Sequence, residues 1–258
     1  MLFVGQNGTF TASLPLKNPC MARILLIETA TGVCSTAIAV DGTVVAIEEE
    51  LQAPSHSALL TLQIERCVKE SGIDLADLDA VAVSSGPGSY TALRVGASVA
   101  KGICYALDKP LIAVDTLLAL AHAAREAYPA PIPSTVYIPM LDARRQEVWL
   151  AVYDVSMNVL MPAQPLILED KLFENCMRSA FPDALPGRLV FSGNGSLKLD
   201  NVKLDEKMAV QVVKNCSARH FSTIAEQFFQ NNDFQDVVYF EPFYMKPPNI
   251  TTPSKAPF

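Results

Sequence analysis

Apolar positions fall into short blocks along most of the chain, and the spacing inside each block identifies the element it forms. Ile24–Ile27 is an uninterrupted apolar run, the pattern of a central strand covered on both faces. Cys34–Val40 and Val44–Glu50 follow as strands, separated by Asp41-Gly42, a pair that tolerates the positive φ of a tight hairpin. The spacing predicts a helix over Ser55–Ser71, with Ser55 as N-cap and Gly72 as the stop. Ala80–Ser84 is a short apolar strand. Gly86-Pro87-Gly88 forces a sharp turn, and Ser89 or Thr91 is placed to cap a helix that runs to about Leu107. Leu111–Val114 is a strand and Thr116–Ala127 a helix, after which Pro129, Pro131 and Pro133 break the pattern.

A second unit follows the prolines. Thr135–Leu141 and Glu147–Asp154 read as strands joined by Asp142-Ala143-Arg144-Arg145-Gln146. Val159–Leu160 and Pro165–Leu168 read as shorter strands, Glu169–Ser179 as a helix, Arg188–Phe191 as a strand, Gly193-Asn194-Gly195 as a turn and Ser217–Gln230 as a helix. In the first unit the order β-β-β-α-β-α-β-α is that of a ribonuclease-H-like domain, not the strict alternation of a dinucleotide fold. Each unit opens with an apolar strand that ends in an acid, Ile27-Glu28-Thr29 and Leu141-Asp142-Ala143. A duplicated core facing itself across a cleft would explain the match, and so would chance. The expected organisation is a disordered extension over 1–20, with Met21 as a candidate true start, and an N-terminal ribonuclease-H-like domain over 21–128. A C-terminal one over 129–216, a helix over 217–238 packing back on the first domain, and a Pro-rich tail over 239–258 complete it.

Composition narrows what this frame can do. Half of the 258 residues are apolar and 18% are charged, enough for a substantial core and too apolar for a disordered chain. The 27 acidic and 20 basic residues leave a net charge of −7, which argues against a protein that grips nucleic acid through its own basic face. No apolar run approaches the roughly 18 residues of a membrane span, and Met1–Val4 is too short an apolar stretch for a secretory signal. A cytoplasmic protein is expected. Cys20, Cys34, Cys67, Cys104, Cys176 and Cys216 show no CxxC spacing and read as reduced, mostly buried thiols.

Most catalytic signatures are missing from the sequence. Gly86-Pro87-Gly88-Ser89-Tyr90-Thr91 opens like a dinucleotide fingerprint but ends in threonine and is stiffened by Pro87. No serine sits between two glycines in a nucleophile elbow. His56, His122 and His220 are isolated, so no pair of imidazoles shares a helical face. The Gly86–Ser89 turn admits two readings. Its N–H groups at a helix start favour an anion, or the turn is tight geometry alone with Ser89 as the cap.

The helix beyond that turn carries Ala92, Gly96, Ala100 and Cys104 at every fourth position, a stripe of small residues on one face. Glycine costs up to about 1 kcal/mol relative to alanine inside a helix, and close approach of another helix is the expected compensation. That neighbour is either the helix over 55–71 or a helix of another chain. In the earlier helix Leu59 and Leu62 widen the stripe of Leu60, Ile64, Cys67 and Val68. Helices this apolar lie inside a domain or complete a bundle with a partner. The candidate partner-interface residues are therefore Leu59, Leu62, Ala92, Gly96 and Ala100.

Taken in order, these blocks resemble the TsaB family. The residues that carry the resemblance are Ile24-Leu25-Leu26-Ile27-Glu28-Thr29-Ala30-Thr31 with Cys34-Ser35, His56-Ser57, Gly86-Pro87-Gly88-Ser89-Tyr90-Thr91-Ala92-Leu93-Arg94-Val95-Gly96 and Asp142-Ala143-Arg144-Arg145-Gln146-Glu147-Val148. Gly193-Asn194-Gly195 and Pro242-Phe243-Tyr244-Met245-Lys246 add weaker support. The resemblance implies two ribonuclease-H-like domains of the actin/hexokinase-like ATPase fold with a degenerate nucleotide cleft. It implies a scaffold or dimerisation subunit without catalytic activity of its own, needed for threonylcarbamoyl transfer to the adenosine beside the anticodon of transfer RNA. The implied partners are a TsaD-like catalytic paralogue, bound through N-domain helices, and a TsaE-like ATPase. A homodimer is plausible when the chain is alone, and transfer RNA is met only through the complex. No cofactor of its own is expected, ATP being used by the complex.

Glu28 stands where the family usually has Asp, and Ala92 where it usually has Gly. An active ATPase of this fold needs two acidic residues facing a magnesium-bound phosphate. Glu28 and Asp142 are candidate remnants of that pair, and Thr29, Gly86, Gly88 and Ser89 are weak candidates for nucleotide contact. Arg144 and Arg145 crowd the second turn, either as a solvated pair or as a contact to RNA. The competing readings are an independent ATP-dependent enzyme of the sugar-kinase type and, less favoured, a peptidase.

Overall fold

The computed structural model describes residues 21–129, 132, 134–182, 186–204 and 209–244. The expected extension over 1–20, the tail beyond 244 and Cys20 lie outside the described residues. Arg23–Glu28 (β1), Cys34–Val40 (β2), Thr43–Glu50 (β3), Ala80–Gly86 (β4) and Leu111–Asp115 (β5) form one sheet in the order β3-β2-β1-β4-β5. β1, β2 and β3 make an antiparallel meander, and β4 and β5 run parallel to β1. Asp41 and Gly42 take positive φ at the β2–β3 turn, as the tight hairpin requires.

Thr135–Asp142 (β6), Glu147–Tyr153 (β7), Val159–Ile167 (β8), Arg188–Ser192 (β9) and Ala209–Gln211 (β10) form the second sheet in the order β10-β9-β6-β7-β8. Its meander and its two parallel additions repeat the plan of the first. The duplication hinted at by the two acid-ended strands is present in the topology: β1 and β6 hold the same central place.

The first sheet is buried on both faces. Leu25, Ile27, Val81 and Val83 pack against His56–Ser71 (α1) and Tyr90–Leu107 (α2). Ile24, Leu26, Ala80, Ala82, Ile112 and Val114 face Ala119 and the segment of Ala218, Phe221, Ile224 and Ala225. Thr116–Ala127 (α3), capped by Asp115 accepting the Leu118 N–H at 2.8 Å, is shared between the lobes. Its Leu117, Leu120, Ala121 and Ala124 pack on Tyr137, Leu141, Ala151 and Val190 of the second sheet. On that sheet's other face, Asp170–Ala180 (α4) buries Phe173 and Met177 against Ile138, Leu150 and Phe191.

Three departures from the pattern have local causes. The two short strands expected at 159–168 are one edge strand, because Pro162 and Pro165 leave its pairing to Glu147–Tyr153 intact, and an edge tolerates proline. The helix expected over Ser217–Gln230 is a 3₁₀ turn at Ala218–Phe221 followed by Ser222–Gln230 (α5). Residues 235–238, expected to belong to the helix over 217–238, and residues 239–244, expected to open the Pro-rich tail, are non-helical and seated on the first lobe. Gln235 bridges Leu111 on the edge strand β5, Phe240 is buried in the core beneath α2, and the Phe243 N–H donates to the Ser85 carbonyl at 2.7 Å. Lys101 Nζ donates to the carbonyls of Val238 and Phe240, both at 3.0 Å, and Tyr244 packs on Tyr90 with ring centroids 4.5 Å apart.

Candidate functional site

The two strand-end acids meet opposite fates. Glu28, the last residue of β1, is fully buried. Its Oε1 accepts the Ala30 N–H, while its Oε2 has no partner among the described residues. Burial dominates its ionisation and pushes its pKa up to about 7, against the opposing pull of the Ala30 N–H and the Ser84 hydroxyl. Cys34 and Cys216 lie near enough to feel its charge. Burial first and Glu28 second raise both thiols, Cys34 to about 11. Asp142, the last residue of β6, is instead exposed. Its Oδ1 accepts from Lys198 Nζ at 2.6 Å and from the Arg144 N–H at 2.6 Å, and its own N–H donates to Asn194 Oδ1 at 3.0 Å.

The Gly86–Ser89 turn is filled by its own chain. The Ser89 N–H donates to the Ala30 carbonyl at 2.7 Å, and a Cβ placed on Gly88 would collide with the backbone and methyl of Ala30. Ser89 sits at the N-cap position of α2, yet its side chain makes no capping bond there. Gly86, at φ 101°, lies under the Phe243 carbonyl. Thr29 follows Glu28 into the interior, its N–H on Ser84 Oγ at 3.2 Å and its hydroxyl without a partner among the described residues. These residues do not fit a magnesium-bound nucleotide. One acid is sealed and held near neutral, the other is neutralised by Lys198, and the turn between β4 and α2 is packed against the loop after β1. No cluster of three His, Cys, Asp or Glu side chains suited to a metal occurs among the described residues. His220 and His122 are half-buried, and their partial burial lowers both to about pKa 4. His56 Nε2 lies 3.0 Å from the Val33 carbonyl.

The small-residue stripe corrects the interface expectation. Ala92 and Ala100 are 5% and 0% exposed, and a Cβ on Gly96 would strike the Thr29 side chain. The neighbour that this stripe admits is therefore the end of β1 in the same lobe, so Ala92, Gly96 and Ala100 are closed to a partner. Leu62 is 47% exposed and Leu59 half-buried. The outward row of α2 lies on another face: Arg94, Ser98, Gly102 and Ala106 are exposed, flanked by half-buried Val95, Val99 and Ile103. Nothing lies within 4 Å of a Cβ placed on Gly102. The sequence carried this signal in the second glycine of the helix, six residues after the first and so on a different face.

The β6–β7 connection shows backbone strain. Arg144 and Arg145 both have positive φ, 70° and 51°, a region that costs a non-glycine residue about 1–3 kcal/mol.

A family model described as TsaD, tRNA N6-adenosine threonylcarbamoyltransferase, matches residues 47–253. The chain belongs to this family. Within it, the chain is similar to the tRNA threonylcarbamoyladenosine biosynthesis protein TsaB of Escherichia coli, with 29% identity over 87% of this chain and 94% of that one. The tRNA N6-adenosine threonylcarbamoyltransferase of Moorella thermoacetica is 34% identical over 43% of this chain and 38% of its own length. A crystal structure from Pseudomonas aeruginosa, described as an uncharacterized protein with similarity to peptidase YEAZ, has the same fold. Its TM-score is 0.72 at 23% identity, covering 88% of this chain and 100% of that one. The resemblance to TsaB carried by the motif blocks is thus matched by similarity along most of the chain.

Proposed function

We propose that this chain is a non-catalytic subunit in the biosynthesis of threonylcarbamoyladenosine in transfer RNA, and that it works by offering the outer face of α1 and α2 to a TsaD-type catalytic paralogue. The observation that carries this reading is Gly102. It stands in the middle of an exposed helix face with open space around it, so the helix bears glycine's cost of about 1 kcal/mol without a neighbour from its own chain to require it. A helix from a partner would use that space, because small residues let two helix axes approach closely. The surrounding surface suits such a contact. Between Val95 and Leu107 the sequence of α2 has one charged residue, Lys101, and its ammonium is turned aside to the carbonyls of Val238 and Phe240. On α1, Leu59 packs in the same apolar cluster as Val95, Val99 and Ile103, and Leu62 is an exposed apolar side chain. The sealed Glu28 and the paired Asp142 support a subunit that leaves ATP to other members of the complex, a TsaE-like ATPase among them. The same face would serve a homodimer when the chain is alone.

The test is co-purification with the TsaD-type paralogue from the same source. Gly102→Arg and Leu62→Asp are expected to abolish it while leaving the melting temperature of the chain within about 2 °C, as surface changes do. Undiminished association of both variants overturns the proposal. Turnover of magnesium-ATP by the chain alone would favour an independent ATP-dependent enzyme instead.

A further inference from the structure

The hairpin tip between β6 and β7 is built for more than a change of direction. The Ala143 N–H donates to the Glu147 carbonyl at 3.0 Å and the Glu147 N–H to the Arg144 carbonyl at 3.1 Å, closing a tight loop. Turns with consecutive positive φ take Asn or Gly at little cost, and here two arginines occupy those positions. Three side chains hold the strained backbone in place. Lys198, mostly buried at 18% side-chain exposure, donates to Asp142 Oδ1, to the Arg145 carbonyl at 2.6 Å and to the Glu147 carbonyl at 3.1 Å. Asp142 in turn accepts the Arg144 N–H, and Asn194 anchors Asp142. The two arginine side chains are exposed, and no ion pair among the described residues involves either of them. The fold thus spends three anchoring side chains and two strained residues to present a fixed pair of cations on a chain whose net charge is −7.

We propose that Arg144 and Arg145 form a clamp for the phosphodiester backbone of the RNA on which the complex acts. The proposal rests on the function proposed above. Arginine's planar fork binds phosphate oxygens in pairs, which lysine cannot do, and a strained, over-determined backbone is characteristic of binding positions. The clamp contributes to affinity in the assembled complex. The acidic chain alone binds RNA weakly, because two contacts cannot offset its overall repulsion.

The experiment uses the complex of this chain with its TsaD-type paralogue and measures transfer RNA binding across ~0.05–0.3 M salt. The test variant is Arg144→Asn with Arg145→Gly, which keeps the turn and removes both charges. Two lost phosphate contacts, at a slope of about 0.7–0.9 each, predict affinity about 10–30-fold weaker near 0.15 M salt and a salt slope shallower by about 1.4–1.8. The same variant should melt higher by at least about 2 °C, since Asn and Gly accept the backbone that strains arginine. A complex that forms normally and binds RNA with unchanged affinity and slope overturns the clamp and leaves the proposed function standing. Failure of the unmodified chain to form the complex overturns both. Competition by polyglutamate as effective as competition by RNA assigns the tip to an acidic protein, and loss of ATP binding without loss of RNA binding assigns it to a nucleotide; either result overturns the proposal.

Discussion

Replacing Glu28 with Gln tests whether the ancestral acid position has become a liability of the fold. The carboxyl is fully buried, one oxygen lacks a partner among the described residues, and its pKa stands at about 7 against an ordinary 4.5. An unfolded chain ionises this group from about pH 4.5 upward, whereas the folded chain holds its proton to about pH 7. Between those values the folded state binds more protons, so stability falls as pH rises and the loss is complete above about pH 7. At 1.36 kcal/mol for each pH unit of that window, the full cost is about 3 kcal/mol. Glutamine keeps the carbonyl that accepts the Ala30 N–H and cannot ionise. The variant should therefore be up to about 3 kcal/mol more stable than the parent at pH 8 and nearly equal to it at pH 4.5. Urea unfolding at half-unit steps of pH gives both curves, and their difference cancels every other titrating group. A difference that does not change between pH 5 and 8 would show that Glu28 ionises freely in the folded protein, and the account of a sealed carboxyl would be wrong.

Three further outcomes follow from the packing. Gly88→Ala should cost about 2–3 kcal/mol in chemical denaturation, because its methyl meets Ala30 backbone that cannot retreat. Gly102→Ala should instead add up to about 1 kcal/mol, since the helix gains alanine and the space is open, while Gly96→Ala destabilises against Thr29. Phe240→Ala should remove about 3 kcal/mol and expose the residues beneath α2 to hydrogen exchange, as truncation of a buried aromatic does. Below about pH 6.5 the histidines act in the sense opposite to Glu28. His122 and His220 have folded pKa values near 4, so the unfolded chain takes up their protons first. Stability should fall as pH drops toward 4, and replacing His220 with Gln should flatten that slope.

The order of elements along the chain and the α/β class were legible because two-sided burial writes itself as uninterrupted apolar runs. Ile24–Ile27 and Ala80–Ser84 are short apolar runs of strand length, and Asp41-Gly42 marks the first hairpin. The direction of α2 was not legible. Small residues occur on two of its faces, and periodicity cannot say which face meets Thr29 and which meets solvent; only the placement of β1 decides. The acids at 28 and 142 could be paired as duplicates, but the difference between a sealed carboxyl and a lysine-bound one depends on the packing around Glu28, Ser84 included, and on Lys198, each brought in from far along the chain. Residues 239–244 were misread because proline-rich composition resembles a loose tail. Their anchors are backbone carbonyls offered to Lys101 and a single buried ring, which leave no periodic trace. Arg144-Arg145 stood out as a basic pair, yet the positive φ that distinguishes it from a solvated turn exists only in the folded hairpin.

Because residues 217–244 close over both sides of the first sheet, that lobe is discontinuous in the chain, with the second lobe inserted into it. A nascent polypeptide that has emerged only as far as α3 lacks Phe221, Ile224 and Phe240, and so leaves apolar surface on each side of β1 uncovered. The usual order of synthesis, first domain finished before the second begins, is unavailable here. The half that is made first must wait for the half that is made last, and any premature stop before residue 240 yields a protein with an open seam beneath α1 and α2.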